Sequence, residues 1–306
     1  MPGSSPGIWS TQLPEPGRLL VVATPIGNLA DLSPRAAAAL CEADVVACED
    51  TRRTATLLRH AGSSVRMVPV HEHNEAARAE DLVRRMQEGE TIALVSDAGM
   101  PAISDPGRRV ISAALDAGLV VSVIPGPSAV EAALVASGLP VEPFAFVGFF
   151  PRKAGERAAL FAQYAQWSGS LVGFESPRRV GSLLAGLATV DPDRQVAVGR
   201  ELTKMHEEVV RGTAAELAVR FAEAPYGEVT IVIGPAVVPV DANADKVVHS
   251  VAVLLEAGLS PGRAADVVSR LGLGARNAAY REALATTRSD AAAQTSTAAE
   301  AKRSDR

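Results

Sequence analysis

The chain has 306 residues, of which 47% are hydrophobic and 21% charged, and a formal charge of −5. That length predicts two domains of ordinary globular composition. The acidic balance argues against nonspecific wrapping of nucleic acid, which needs clustered Lys and Arg, and no run of about 18 apolar residues is present to cross a bilayer as a helix.

The first 17 residues, "MPGSSPGIWSTQLPEPG", have neither a basic start nor an apolar segment. They predict a loose tail, not a signal peptide, and a cytoplasmic protein. From Leu19 onward, short β-branched runs alternate with Ala-rich stretches of helical period. "RLLVVAT", "ADVVAC", "VRMVPV", "TIALVSD" and "LVVSVIP" predict strands with helices between most of them, hence a mainly parallel sheet. Ser33-Pro34 predicts an N-cap and a first-turn proline, Asn74 a cap for the next long helix, and Gly89 its stop.

After Pro125-Gly126-Pro127 come the strand candidates "FAFVGFF", "SLVGFES", "QVAVGRE", "EEVVRGT" and "VTIVIG", whose alternation predicts a mixed sheet. From Ala242 strands cease, and helices are expected at about 245–258, 260–272 and 276–286. The expected division is a tail at 1–17, α/β domains at 18–126 and 127–238, a small helical appendage at 243–287, and a disordered tail at 288–306. Cys41 and Cys48 are too few for a disulfide framework and lie in no C-x-x-C pair, so both are expected to be reduced packing residues.

Loops at strand ends hold the chemistry-bearing residues, and in open α/β sheets ligands sit beyond the carboxyl ends of strands. "VVATPIGNLADLSPRA" places Pro25, Ile26 and Gly27 after the first strand; it matches neither a dinucleotide-binding nor a Walker loop. "CEDTRRT" puts Glu49 and Asp50 at the next strand end, with Thr51 as the cap of a helix whose first turn holds Arg52 and Arg53. Cations are unfavourable at a helix N-terminus, so either an anionic ligand or pairing with Glu49 or Asp50 keeps them there. "HEHNE" begins with His71 but lacks metal-site spacing and a third ligand, so no metal is expected. In "SDAGMPAISDPG", Asp97 is a site candidate and Gly99 admits close approach to the backbone, whereas Asp105 is expected to cap the helix near Pro106. "PGPSA" presents the Ser128 hydroxyl at a helix start.

"TPIGNLADLSPRA", "CEDTRRT", "HEHNE", "ALVSDAGMPAISDPG", "PGPSA", "GFFPRK", "ESPRR" and "RELTKMHEE", in this order and spacing, resemble the bacterial 16S rRNA cytidine 2′-O-methyltransferase family of the tetrapyrrole methylase superfamily. The resemblance spans about Leu19 to Leu284. It implies two α/β domains of tetrapyrrole methylase type with S-adenosyl-L-methionine in the cleft between them, plus the small C-terminal helical appendage. It also implies a homodimer that methylates a cytidine ribose in the decoding region of 16S rRNA in the small ribosomal subunit.

By position, the resemblance assigns cofactor binding to Pro25, Ile26 and Gly27, to Ser96, Asp97, Ala98 and Gly99 with Ile103, to Ser128 and Ala129, and to Phe174, Leu202 and Thr230. A ribose hydroxyl is a weak acid, so a base or a nearby cation is expected. Glu49, Asp50, His71 and Glu201 are candidates for base or orienter, and Arg52 and Lys204 for electrostatic helper; the sequence does not choose among them. Met100 stands where the family commonly has Thr, and Arg276 and Arg281 are the cations of the appendage. Two other readings are a methylase of a tetrapyrrole precursor and a catalytically silent rRNA-binding assembly factor. The appendage and the arginines of "TRRT" favour RNA over a tetrapyrrole, and the intact cofactor loops favour an enzyme over a silent factor.

Overall fold

The computed structural model describes residues 16–236 and 240–287, so the expected tail at 288–306, and all of the expected tail at 1–17 but its last two residues, lie outside the described residues. They fall into two compact units that divide after Ala236.

The first unit opens with five strands, β1 (Arg18–Val22), β2 (Val45–Cys48), β3 (Arg66–Pro69), β4 (Ile92–Leu94) and β5 (Val120–Ile124). They form one parallel sheet in the order β3-β2-β4-β1-β5. Its central strands are buried end to end, as the unbroken apolar runs require when helices cover both faces. Alternate residues serve opposite cores. Leu20, Val22, Val46 and Ala93 pack against Leu40 of α1 (Pro34–Glu42) and Leu57 and Leu58 of α2 (Thr51–Ala61). Leu19, Val21, Val45 and Leu94 pack against Leu82 and Met86 of α3 (Glu75–Gln87) and Val110 of α4 (Arg108–Asp116). A truncation such as Leu94→Ala therefore costs about 2–5 kcal/mol.

The chain leaves β1 for one face and β4, its neighbour in the sheet, for the other, which opens a crevice between their carboxyl ends. Thr24 and Gly99 bridge that crevice with reciprocal backbone bonds of 2.9 and 3.1 Å.

The second sheet joins β6 (Phe144–Phe149), β7 (Ser170–Glu175), β8 (Gln195–Arg200), β9 (Glu208–Thr213) and β10 (Val229–Ile233) in the order β6-β7-β10-β8-β9. Only β6 and β7 run parallel, so the sheet is mixed as the sequence predicts. One face buries Leu171, Val198 and Ile231 against α6 (Ala154–Gln163), α7 (Val180–Ala188) and α8 (Ala214–Arg220). The other packs Val172, Ala197 and Val232 against α5 (Ala129–Ser137) and against Ile26 and Leu202, the beginnings of a site wall.

The second unit consists of α9 (Val240–Glu256), α10 (Pro261–Arg270) and α11 (276–287). Val251, Val268, Ala279 and Ala283 form its small core, and Gly258 and Gly272 adopt the positive φ of helix stops.

Ser33 caps α1 as expected, accepting from Ala36 N–H, but other expected caps differ. Asn74 makes no side-chain cap; its amide accepts from His71 N–H and donates to Pro69 O, closing its own turn. Asp50, not Thr51, caps α2. Gly107, not Asp105, is the N-cap residue of α4. Cys48 is a packing residue, whereas Cys41 is exposed.

Candidate functional site

A cavity of about 470 Å³ lies where the strand ends of the first sheet meet the apolar face of the second. Ile26, Glu49, Asp97, Ala98, Gly99, Ile103, Ser128 and Ala129 line it from the first side, and Phe174, Leu202 and Thr230 from the other. A smaller cavity of about 350 Å³ adjoins it through Ile26, Arg53, Asp97, Ala98 and Glu228, and adds Pro25, Gly27, Ser96 and Lys204. Every residue expected at a cofactor therefore borders one of two adjoining hollows; His71 and Asn74, beyond β3, border neither.

Local chemistry explains how these groups are held. Gly99 has φ +80°, and a Cβ there would stand 3.6 Å from Ile26 Cγ2 and 3.7 Å from Pro127 O, filling the gap the glycine leaves. At Gly27 a Cβ would come within 2.5 Å of Lys204 Cγ and 3.0 Å of Leu202 O, so the two loops touch only because that side chain is missing. Ser128 caps α5 by accepting from Glu131 N–H. Met100 packs on the core beneath the first sheet while also lining the cavity, so its thioether, not a hydroxyl, faces the hollow.

The expected catalytic groups separate. The Asp50 carboxylate accepts from Arg52 N–H at 2.8 Å and pairs with its guanidinium at 2.9 Å. Those bonds hold it down at about 2. Neither Asp50 nor Arg52 borders either of these hollows: the first is committed to a helix cap, and the second turns outward with its side chain 90% exposed. One position along, Arg53 turns inward and reaches Asp97 at 3.5 Å. Glu49 does line the larger cavity, where burial and the Asp97 charge raise its pKa against the pull of Arg53.

Lys204 borders the smaller cavity and bonds Glu201 at 2.8 Å and Glu228 at 3.1 Å. Burial lowers the ammonium pKa, but these carboxylates outweigh it and leave the value raised. The Lys204 bond in turn lowers Glu201. Glu201 and Thr203 adopt φ +50° and +67°, so the loop between them is held in strained backbone by these ties.

Asp105 is the residue that the sequence assigned to a helix and the structure assigns to the cavity. Burial, then repulsion from Glu49, push its carboxyl up to about 6 against a hydrogen bond with Ser96. The sequence signal that could have found it is Glu75, whose burial at a helix start supplies the cap that Asp105 would have made. Among the described residues no group of three His, Cys, Asp or Glu is arranged to hold a metal.

A sequence profile described as Tetrapyrrole (Corrin/Porphyrin) Methylases matches residues 18–218. The chain is 42% identical over 284 residues to ribosomal RNA small subunit methyltransferase I of Mesorhizobium japonicum, covering 90% of this chain and 96% of that one. It is 48% identical over 223 residues to the protein of the same name from Mycobacterium bovis, covering 72% and 78%. Among solved structures it is similar to the methyltransferase CobJ, with TM-score 0.58 and 20% identity over 72% of this chain and 95% of that one. The uroporphyrin-III C-methyl transferase of Thermus thermophilus complexed with S-adenyl homocysteine gives TM-score 0.52 and 22% identity, covering 71% and 97%. At those identities the structures speak for the fold alone. The chain belongs to the tetrapyrrole methylase family, and within it to the group of proteins named ribosomal RNA small subunit methyltransferase I.

Proposed function

We propose that this protein uses S-adenosyl-L-methionine to methylate the ribose 2′-hydroxyl of a cytidine in the decoding region of 16S rRNA, acting on the small ribosomal subunit in the cytoplasm. The observation that carries the rRNA reading is the 42% identity that runs through 284 residues of a relative so named. The helical unit beyond Ala236 lies outside the methylase profile, and its Arg276 and Arg281 are candidates to meet RNA. Arg276 is paired with Asp266 at 2.5 Å, so a phosphate would have to compete for it.

The cavity suits the cofactor chemically. Glu49, Asp97, Asp105 and Glu228 give it a negative wall, which complements a sulfonium and an ammonium. Ile26, Phe174 and Leu202 give it an apolar wall for an adenosine, and the missing side chain at Gly99 leaves room along the backbone. Bound there, the cofactor supplies an electrophilic methyl group. The protein then has to align, exclude water and manage one proton. Pro25, Gly27 and Ser96 shape the adjoining hollow, where Lys204 and Arg53 offer positive charge to an RNA backbone.

The domain boundaries at 126/127 and 238/243 are proposed with this reading, supported by the end of β5 at Ile124 and the packing of α5 on the second sheet. A homodimer is proposed as well. Edge strand β5 exposes Val120 and Val123, and edge strand β6 exposes Phe144, apolar surface that a second copy would cover.

Nucleoside mass mapping of small subunits treated with the protein and labelled cofactor tests the reading. The expected product is 2′-O-methylcytidine at one position. Label on a base instead, or on a tetrapyrrole offered in parallel but not on RNA, overturns it.

A further inference from the structure

We propose that Phe149 is the platform on which the target base of the RNA stacks, with Arg152 and Arg178 holding the phosphates beside it, an inference that rests on the reading above of RNA as substrate. The second sheet carries a β-bulge at this place. Phe146 lies opposite Val172 and Phe149 opposite Phe174, so three steps along β6 match two along β7. Gly148 sits inside the bulge at φ +67°, a left-handed conformation that glycine adopts without strain. The extra residue reverses the alternation of the strand. Ala145 and Val147 pack on the core beneath α6 and α7, and Phe146 on the opposite face, so without the bulge Phe149 would join that core. Instead Phe150 is buried there at 1% exposure, and Phe149 lines the larger cavity while 58% exposed.

The ring is held but not covered. It meets Phe174 edge-on with centroids 5.6 Å apart, and Phe174 is braced in turn by Phe146 at 5.2 Å. These contacts fix the tilt of an aromatic group that stays more than half open. Bases taken out of a strand stack on such rings in RNA-binding proteins, because every base has a π-face.

Charge decides which part of an RNA can reach it. Glu49, Asp97, Asp105 and Glu228 line the same cavity, so a phosphate is repelled from the interior and an uncharged base is not. The flanking phosphates then lie at the rim, where cations stand. β6 and β7 are parallel neighbours, so the loops that leave them emerge side by side at one edge. One runs from Phe149 to Arg152; the other lines the cavity with Ser176 and Pro177 and then presents Arg178. Both arginines are exposed, border neither hollow and make no ion pair among the described residues. Their basic neighbours are engaged: Lys153 pairs with Glu156 at 3.0 Å, and Arg179 with Glu175. Arg157 donates to Arg152 O at 2.8 Å, which ties the first loop to α6. A cofactor adenine on Phe149 would give these two arginines no anion to meet, whereas an RNA strand does.

The test is single-turnover methyl transfer from labelled cofactor to small ribosomal subunits, over a range of subunit and salt concentrations. It compares wild type, Phe149→Ala, Phe149→Tyr and a double variant with Arg152→Gln and Arg178→Gln. Calorimetry gives the cofactor affinity of each protein, and sedimentation its assembly state. Phe149→Ala should lower transfer at limiting subunits by about 5–150-fold, the range for loss of one stacked base, while binding cofactor within about threefold of wild type. Phe149→Tyr keeps the ring and should recover most of that loss. The double arginine variant should bind subunits more weakly and reduce the slope of log affinity against log salt by about 2, roughly one for each phosphate contact.

A loss below about fivefold in Phe149→Ala overturns the proposal. So does a fall in cofactor affinity as large as the fall in rate, which makes the ring an adenine platform, or a change of assembly state, which makes it a contact between copies. A salt slope unchanged in the arginine variant overturns it as well, since no phosphate is then held there. A wild-type protein that binds cofactor but methylates no RNA overturns the functional reading and this proposal with it, an outcome read from the wild type alone and so distinct from the others.

Discussion

Glu75 and Gly107, far apart in sequence, are joined by a hydrogen bond of 2.8 Å from the Gly107 amide to the Glu75 carboxylate, which accepts Arg109 N–H at the same distance. A side chain at the start of α3 thereby caps α4, and the loop from Met100 to Pro106 is released from that task. Glu75→Ala leaves two N–H groups without partners and should cost about 2–4 kcal/mol. Glu75→Gln, which keeps an acceptor, should cost about half as much. Urea denaturation of the three proteins measures this, and equal midpoints would remove the cap from the account of the loop.

Asp105→Asn should act in the opposite direction on stability. Its folded-state pKa, about 6, lies above the ordinary 3.8, so between those values the native state holds more protons than the unfolded one. Stability on this account falls as pH rises from about 4 to 6 and stays lower above. The neutral amide escapes that loss. Allowing for solvent screening of a partly exposed group, the gain is on the order of 1 kcal/mol at pH 8, or about 2–4 °C in Tm. At pH 4 the variant and wild type should melt together. A variant that melts below wild type at pH 8 would mean that contacts of the carboxylate outweigh the cost of burying its charge.

The layers of the fold were legible because their signals are local and periodic. Leu20, Val22 and Val46 against Leu19, Val21 and Val45 form a period of two with both faces apolar, the mark of a covered parallel strand. Strand-end loops were legible for the same reason, since topology sends them to one edge. What the sequence could not reveal depends on partners distant along the chain. Asp105 reads as a cap until Glu75 is seen to occupy its amides. Asp50 and Arg52 read as site residues, and the pairing of one to the other emerges only in the structure, where Arg53, one step further round α2, is the arginine that lines the cavity.

Gly27 offers a test of how closely the two sides of the site must approach. A Cβ there would lie 2.5 Å from Lys204 Cγ, 2.8 Å from Thr203 Oγ1 and 3.0 Å from Leu202 O. The last is backbone, in a loop already strained at Glu201 and Thr203. Gly27→Ala should push that loop outward, weakening cofactor binding and lowering kcat/KM by roughly tenfold or more. The melting temperature should change little, since the clash is relieved by a surface loop. Wild-type kinetics in Gly27→Ala would show that the approach of Leu202 and Lys204 is incidental.

A final expectation concerns the turn that follows β7. The Glu175 side chain is fully buried and accepts from the Arg179 guanidinium and from Ser176 N–H, the latter at 2.6 Å. Ser176 and Pro177 line the cavity, so this pair fixes a stretch of the site wall from beneath. Among the described residues Glu175 Oε2 and Arg179 Nη1 have no hydrogen-bond partner, which makes the pair a weak net contributor to stability even though each charge depends on the other. Glu175→Leu alone strands a guanidinium that is 24% exposed, and should cost about 3–5 kcal/mol. Arg179→Met alone strands a buried carboxylate and should cost a similar amount. The double variant should cost much less than the sum, because neither desolvated charge remains, leaving a coupling of about 2 kcal/mol or more in a double-mutant cycle. Additive losses would instead mean that Glu175 and Arg179 stabilise the turn independently, through Ser176 and the helix that follows.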